Sequence, residues 1–389
     1  MFFSISLNQK DNFNHCYQFD KFCIGTDAGW KHHSTNKYEI LYKGYADDDK
    51  LVNLLSDIVK QQEPQLVGNF CVIAFNKTTQ CIEIKTDRYR GFPIYVQNNQ
   101  EITNLTPFDW TAWADSLITI DKNLSVFETK FDVIGKIETD TLEYTEVVDQ
   151  IDNILSQRTK KFIAHNEYPI RAFLSGGVDS LLVYSYLQKF TDNYELVKCQ
   201  HIDYDRFWLM NFGTIKHNFW GYSQIHHWND PCILTSGAPG DEFMMRSPTT
   251  ADLLLKFYKK QMTTELETEQ WKSCLHYEYF HRPKNYQIFQ QQILTPEWDK
   301  HTLFWNLCNI VINDWQHWHI GNTLTWTPLR DLEIFKLFLR LPIEQVMTQI
   351  MNSDISIALI ENNKTDLSKV ISDKKNTDNY MKNLCDLLL

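Results

Sequence analysis

The sequence predicts two units in tandem, an antiparallel α+β unit followed by an α/β unit on a parallel sheet. Three observations carry this. Residues 66–96 alternate apolar and polar side chains in short runs separated by polar turns, the period-2 signature of strands. Beyond residue 144 apolar strand-like runs alternate with helical stretches, the order that a parallel sheet with right-handed crossovers requires. The 389 residues suit two domains with sizeable cores. The pattern changes after "NLTPFDWTAWADS", within 115–125, and the division is set as 1–118 and 119–389.

In chain order, "DDDKLVNLLSDIVKQQ" has helical spacing and an acidic start. "LVGNFCVIAF" and "QCIEIKTDRY" flank the polar "NKTT" and read as a hairpin, with the shorter run "RGFPIYV" behind it. "YTEVVDQIDNILSQRTKKFI", residues 144–163, is helical with Thr145 as its expected cap. "YPIRAFLSGG" reads as a buried strand ending in glycines, and "SLLVYSYLQKF" as an apolar helix. "YELVKCQHID" and "PCILTSG" are further strands. From 251 onward the period is mostly helical, with "TLFWNLCNIVINDW" a buried helix too short to span a bilayer. The stretch 362–380 is polar enough to be a mobile loop.

Composition narrows the function classes. The chain is 43% apolar and 22% charged, which fits a folded protein rather than a disordered one. Aromatics reach 14%, favouring large buried clusters. A net charge of −11 argues against a general nucleic-acid footprint. The nine cysteines are odd in number and contain no CxxC pair, so neither a disulfide framework nor a structural zinc site is expected. A reducing cytoplasm fits this usage, and "MFFSISLNQKDNF" lacks the features of a secretory signal.

"FLSGGVDS", residues 173–180, joins the buried strand to the apolar helix. Glycines there permit close backbone approach, and the amides of the following helix point at an anion. Ser175 and Ser180 add hydroxyls, and Asp179 is suited to a Mg²⁺ ion that bridges phosphates. The loop is not a Walker A motif, since no Lys-Ser/Thr follows, nor a GxGxxG fingerprint. On its own it reads either as a nucleotide loop or as a tight strand–helix turn. It lies at a strand's carboxyl end, as does "LTSG", which is where parallel sheets bind ligands.

SGGVDS resembles the pyrophosphate loop of the N-type ATP pyrophosphatases, which cleave ATP between the α- and β-phosphates and adenylate a substrate. The flanks narrow the resemblance to the asparagine synthetase and β-lactam synthetase-like family. "QRTKKFIAHNEYPIRAFLSGGVDSLLVYSYL" is similar to that family's segment from basic helix through loop. "GNFCVIAFNKTTQCIEIKTDRYRGFPIYV" resembles the hairpin closing its glutaminase-type domain, down to Asp87-Arg88, Gly91, Pro93 and Tyr95. "LTSGAPGDEF" resembles its second motif, Ser-Gly-Glu-Gly-Ser-Asp-Glu, and "TWTPLRDLEIFKLFLRLP" its Pro-Phe-Leu-Asp segment. The four segments stand in the family's order and span most of the chain.

This resemblance implies an Ntn-type glutaminase-like sandwich followed by an adenine nucleotide alpha hydrolase-like synthetase domain. It implies ATP and Mg²⁺ as cofactors, with nucleotide contacts from Leu174, Ser175, Gly176, Gly177, Asp179, Ser180, Ser236 and Gly237. Asp179 and Asp241 would share the metal, and Asp241 and a late lysine would serve catalysis. Lys375 in "VISDKKN" is that lysine's best alignment, with Lys374 beside it; a solvated polar loop is the other reading of this stretch. The implied partners are a small-molecule or peptide carboxylate and an amine, with no membrane and no general nucleic-acid binding. A homodimer stays open.

The departures matter as much. The family's glutamine-hydrolysing members carry cysteine directly after the initiator Met, whereas this chain has Phe2. Lys43-Gly44 stands for the family's Asn-Gly oxyanion element. Hydrolysis of free glutamine is therefore not expected, a state β-lactam synthetases resemble. The second motif has Ala238 for its central Glu, followed by Pro239, so another residue activates the amine or none is needed. Only residues 181–235 separate the two motifs, and Leu324 and Trp326 stand where the family has Glu and Arg, which makes aspartate an unexpected substrate.

The pairs His32/His33, His226/His227 and His317/His319 lack convincing ligand spacing and read as surface or core histidines rather than metal ligands. "DYDRFW" and the Trp-rich 305–326 region read as core, or as the lining of an apolar substrate pocket. The expected function is an AMP-forming carbon–nitrogen ligase that adenylates a carboxylate and forms an amide bond. The alternative is a nucleotide-binding pseudoenzyme that keeps the fold. A base- or tRNA-modifying pyrophosphatase is disfavoured by the acidic charge and the missing CxxC.

Overall fold

The structure is a computed structural model. It describes residues 3–7, 13–60, 66–89, 94–97, 101–103, 110–111, 116–131, 138, 140–174, 177–198, 231–237, 240–244 and 323–364. Two antiparallel sheets make up its N-terminal part. Their strands are β1 (Phe3–Ser6), β2 (His15–Phe19), β3 (Phe22–Thr26), β4 (Lys31–Ser34), β5 (Tyr38–Ala46) and β6 (Gly68–Asn76). There follow β7 (Cys81–Thr86), β8 (Tyr95–Gln97), β9 (Glu101–Thr103), β10 (Trp110–Thr111), β11 (Ser116–Ile120) and β12 (Val126–Lys130). One sheet runs β10-β8-β9-β1-β3-β2 and the other β12-β11-β7-β6-β5-β4. The division expected at 118/119 falls within β11, whose hairpin partner β12 ends at Lys130.

Alternation along β6 sets the layering. Cys71, Ile73 and Phe75 join Phe3, Ile5, Phe22 and Ile24 of the first sheet in one buried cluster. Phe70, Val72 and Ala74 point the other way, onto Leu51, Leu55, Ile58 and Val59 of helix α1 (Leu51–Val59). β5 does the same in register, with Leu41 opposite Ile73 and Tyr42 opposite Val72. The second sheet is thus the middle layer, with a sheet on one face and a helix on the other. The expected β6–β7 hairpin is closed by Asn76, whose side-chain oxygen accepts from the amides of Thr78 (3.0 Å) and Thr79 (3.2 Å). Gln80, at φ 54°, returns the chain.

The C-terminal part begins with α2 (Tyr144–His165). Thr145 does not cap it. Glu143 is the N-cap, and the Glu146 carboxylate reaches back to accept from its amide at 3.0 Å, an interaction that leaves Thr145 exposed in the first turn. Strands β13 (Ile170–Leu174), β14 (Glu195–Lys198), β15 (Cys232–Thr235) and β16 (Thr323–Trp326) form a parallel sheet in the order β14-β13-β15-β16. Helix α3 (Val178–Phe190) follows β13 and buries nine consecutive-to-near-consecutive residues from Val178 to Leu187, as its apolar run requires. The short α4 (Gly240–Phe243) follows β15. After β16 come α5 (Leu332–Phe338), α6 (Ile343–Asn352) and α7 (Asp354–Asn362).

β16 is a strand that the helical reading beyond 251 does not contain. Its Thr-Leu-Thr-Trp alternation is only four residues long and stops just short of Pro328. Residues 251–322, including "TLFWNLCNIVINDW", "HWH" and most of the Trp-rich stretch, lie outside the described residues, as does "DYDRFW". The polar stretch from 365 does too, while Asn362 ends α7. Among the described residues no helix is long and apolar enough to cross a membrane.

Candidate functional site

Parallel pairing fixes where the site residues meet. Ala172 of β13 lies opposite Thr235 of β15, so the turns that follow these two strands emerge side by side at the carboxyl edge of the sheet. Leu174 ends β13, half-buried and in register with Lys198 of β14. Gly177 is the N-cap of α3 in an extended conformation without a side-chain cap bond. Asp179 therefore lies in the first helical turn, where the helix dipole favours a carboxylate.

The second turn closes directly on Asp179. The Gly240 amide donates to the Gly237 carbonyl at 2.7 Å. A Cβ placed on Gly237 would collide with the backbone between Asp179 and Ser180. One placed on Gly240 would collide with the Asp179 carboxyl group, 2.7 Å from Oδ2. Two segments far apart in sequence therefore touch through glycines, and the side chain between them is a carboxylate.

Hydrogen bonds and aromatic packing surround this arrangement. Ser180 is buried, and its hydroxyl donates to the Gly177 carbonyl at 2.8 Å, a bond that braces the start of α3. Ser236 is buried as well, and its amide donates to the Trp326 carbonyl at 2.9 Å. Behind α4, Phe243 packs edge-on against Tyr89 (6.4 Å) and Phe335 (6.2 Å). The Met244 carbonyl accepts from Gln349 Nε2 at 3.2 Å, and Gln349 Oε1 accepts from the Ile355 amide at 2.8 Å. The tie from α6 to the end of α4 has no motif, and the sequence reading missed Gln349.

Of the residues singled out from the sequence, Leu174, Gly177, Asp179, Ser180, Ser236 and Gly237 meet at this edge. Asp241 is placed by its backbone within α4, but its side chain lies outside the described residues. Ser175, Gly176, Ala238, Pro239, Lys374 and Lys375 lie outside the described residues altogether. Leu324 and Trp326 are both buried, Trp326 stacked on Phe162 of α2 at 4.3 Å and 12°. His32 on exposed β4 bonds Glu39 at 2.7 Å, and His33 is exposed beside it. His226 and His227 lie outside the described residues.

In the N-terminal part, Lys43 of β5 lies on the same face of its strand as Leu41, between the antiparallel sheets. Its ammonium is 3.2 Å from Asp27 Oδ1 and also donates to the Ala28 carbonyl. Trp30 Nε1 donates to the same Asp27 oxygen at 3.0 Å. Burial lowers the Lys43 pKa, and Asp27 opposes that shift. Gly44 needs its φ of +112°, and a side chain there would strike the backbone of Asn69 and Phe70. Phe2 lies outside the described residues.

Asp179 supplies a hard anionic oxygen at the carboxyl edge of a parallel sheet, beside a helix N-terminus and a glycine turn. That donor chemistry suits Mg²⁺, and the position suits a phosphate. The chain matches no family model, and no curated protein matches it.

Proposed function

We propose that this protein is an ATP-dependent, AMP-forming ligase of the kind its four motif segments resemble, built on a glutaminase-like sandwich and a nucleotide-hydrolase-like parallel sheet. One observation carries the reading: the turns after β13 and β15 meet at Asp179 through Gly237 and Gly240. A tight strand–helix turn needs no second loop closed upon it.

In this reaction a substrate carboxylate oxygen attacks the α-phosphorus of ATP, the bond to the β-phosphate breaks, and pyrophosphate leaves. An amine nitrogen then attacks the acyl carbon, the acyl–phosphate bond breaks, AMP leaves, and the amine gives up a proton to a base or to water. Mg²⁺ would be held by Asp179, with Asp241 as the second expected ligand, and would offset phosphate charge that a chain of net charge −11 otherwise repels. The N-terminal unit supplies no ammonia in this reading. Lys43 replaces a neutral amide donor with an ammonium already engaged by Asp27.

Carboxylate-dependent exchange of pyrophosphate into ATP, run across a panel of acids, tests the reading. Exchange is expected with at least one acid and is lost in Asp179→Asn with the melting temperature retained. A silent panel overturns the ligase, and tight ATP binding without exchange selects the nucleotide-binding alternative. Normal exchange in Asp179→Asn removes the metal role from that residue.

A further inference from the structure

The two glycines that close on Asp179 do different things. At Gly237 the atoms in the way of a Cβ are backbone, Asp179 C and Ser180 N, and backbone at a helix start does not yield cheaply. At Gly240 the three nearest atoms all belong to the Asp179 side chain, Cγ first, then Oδ2 at 2.7 Å and Cβ at 2.9 Å, and the two closest are the carboxyl end that can rotate away. Gly240 opens α4 outside the left-handed region, so alanine there meets no backbone strain. The space its missing side chain leaves is filled by the Asp179 side chain, the carboxyl group closest of all.

We propose that Gly240 is a positioning residue: its bare backbone is the seat of the Asp179 carboxylate and sets the direction in which that carboxylate faces the ligand. This rests on the ligase reading of Asp179. The seat is held from behind by the Gly240–Gly237 and Met244–Gly240 backbone bonds, at 2.7 and 2.8 Å, so a methyl group at 240 displaces the carboxylate rather than the turn. A shift of about 1 Å in a liganding or catalytic group is enough to cost a large factor in function.

The test uses the full-length protein and a fluorescent ATP analogue, titrated with and without Mg²⁺, alongside thermal melts. Gly240→Ala is expected to melt within a few degrees of wild type yet bind the analogue about tenfold or more weakly, with the loss confined to the Mg²⁺-dependent part. In an Asp179→Gly background, which removes the Asp179 Cβ as well as the carboxyl group, the same substitution is expected to change neither melt nor binding, because every atom it displaces is gone. Gly237→Ala, the contrast, is expected to lower the melt strongly. Equal Mg²⁺-dependent binding by Gly240→Ala and wild type overturns the positioning role, as does an undiminished effect of Gly240→Ala without the Asp179 carboxylate. Wild type that binds no analogue in either condition overturns the ligase reading itself.

Discussion

Asp47 shows what burying a single carboxyl group costs a fold. It sits at the end of β5, 2% exposed, and its Oδ1 has no hydrogen-bond partner among the described residues. Burial pushes its pKa up to about 8; Arg158 pulls it down, while Asp48, Asp331 and Asp87 add to the rise. The folded state thus holds a proton that the unfolded chain releases near pH 4. Stability falls as pH rises between these two values and levels off above pH 8. Asp47→Asn keeps the shape and removes the titration. The variant is expected to be more stable than wild type at pH 8.5, with the gap closing steadily as pH approaches 4. Urea denaturation at four pH values reads this directly, and parallel pH profiles for the two proteins would show that Asp47 does not carry the cost.

At the scale of elements, what was legible followed periodicity. The β6–β7 hairpin, α1, α2 and the strands around the glycine loop could be read because each buries one face in a regular period, as Leu51, Leu55, Ile58 and Val59 do in α1. β16 was missed because four residues are too few for periodicity to declare itself. The cap of α2 was misplaced because Glu143 and Glu146 act together, which single-residue preferences do not convey. The candidate site was legible as two motifs, but not that Gly240 meets the Asp179 carboxyl group, since spacing does not say which atoms fill a gap between distant segments. The role of Trp326 could not be read either, because a tryptophan lining a pocket and one in a core look alike in sequence. Its stack on Phe162 places it in the core. Trp326→Ala is expected to cost about 3–5 kcal/mol in chemical denaturation, the range for a large aromatic removed from a packed interior. A loss under about 1 kcal/mol would mark a pocket-lining residue instead.

At the scale of the molecule, the antiparallel and parallel parts are joined by buried chemistry rather than tethered by a linker. Tyr45 Oη donates to the Thr325 carbonyl at 2.8 Å, and Asn69 Nδ2 donates to that carbonyl at 3.1 Å and to the Thr325 hydroxyl at 2.9 Å. The Leu332 amide donates to Tyr89 Oη at 3.0 Å. Helix α2 is wedged between the two: Phe162 meets Tyr45 edge-on at 5.5 Å and Trp326 face-on, while His165 Nδ1 bonds the Asp47 carbonyl at 2.7 Å. Arg158 of the same helix pairs with buried Asp331 at 2.8 Å. One apolar cluster runs from Phe3 and Ile24 through Phe162 to Leu332 and Ile360. Separating the parts would expose apolar area on both sides and break the bonds of Tyr45 and Asn69 to Thr325 and of Leu332 to Tyr89, at about 1–3 kcal/mol for each polar group left buried. The full chain is therefore expected to unfold in a single calorimetric transition across the described core, with calorimetric and van't Hoff enthalpies in agreement. Residues 1–130 made alone are expected to show no cooperative melt, because the face that Thr325, Leu332 and α2 cover would be bare. Two resolved transitions in the full chain, or a sharp melt for the isolated fragment, would mean that the joint is a docking surface between independent folds and that the N-terminal unit holds its shape without the C-terminal half.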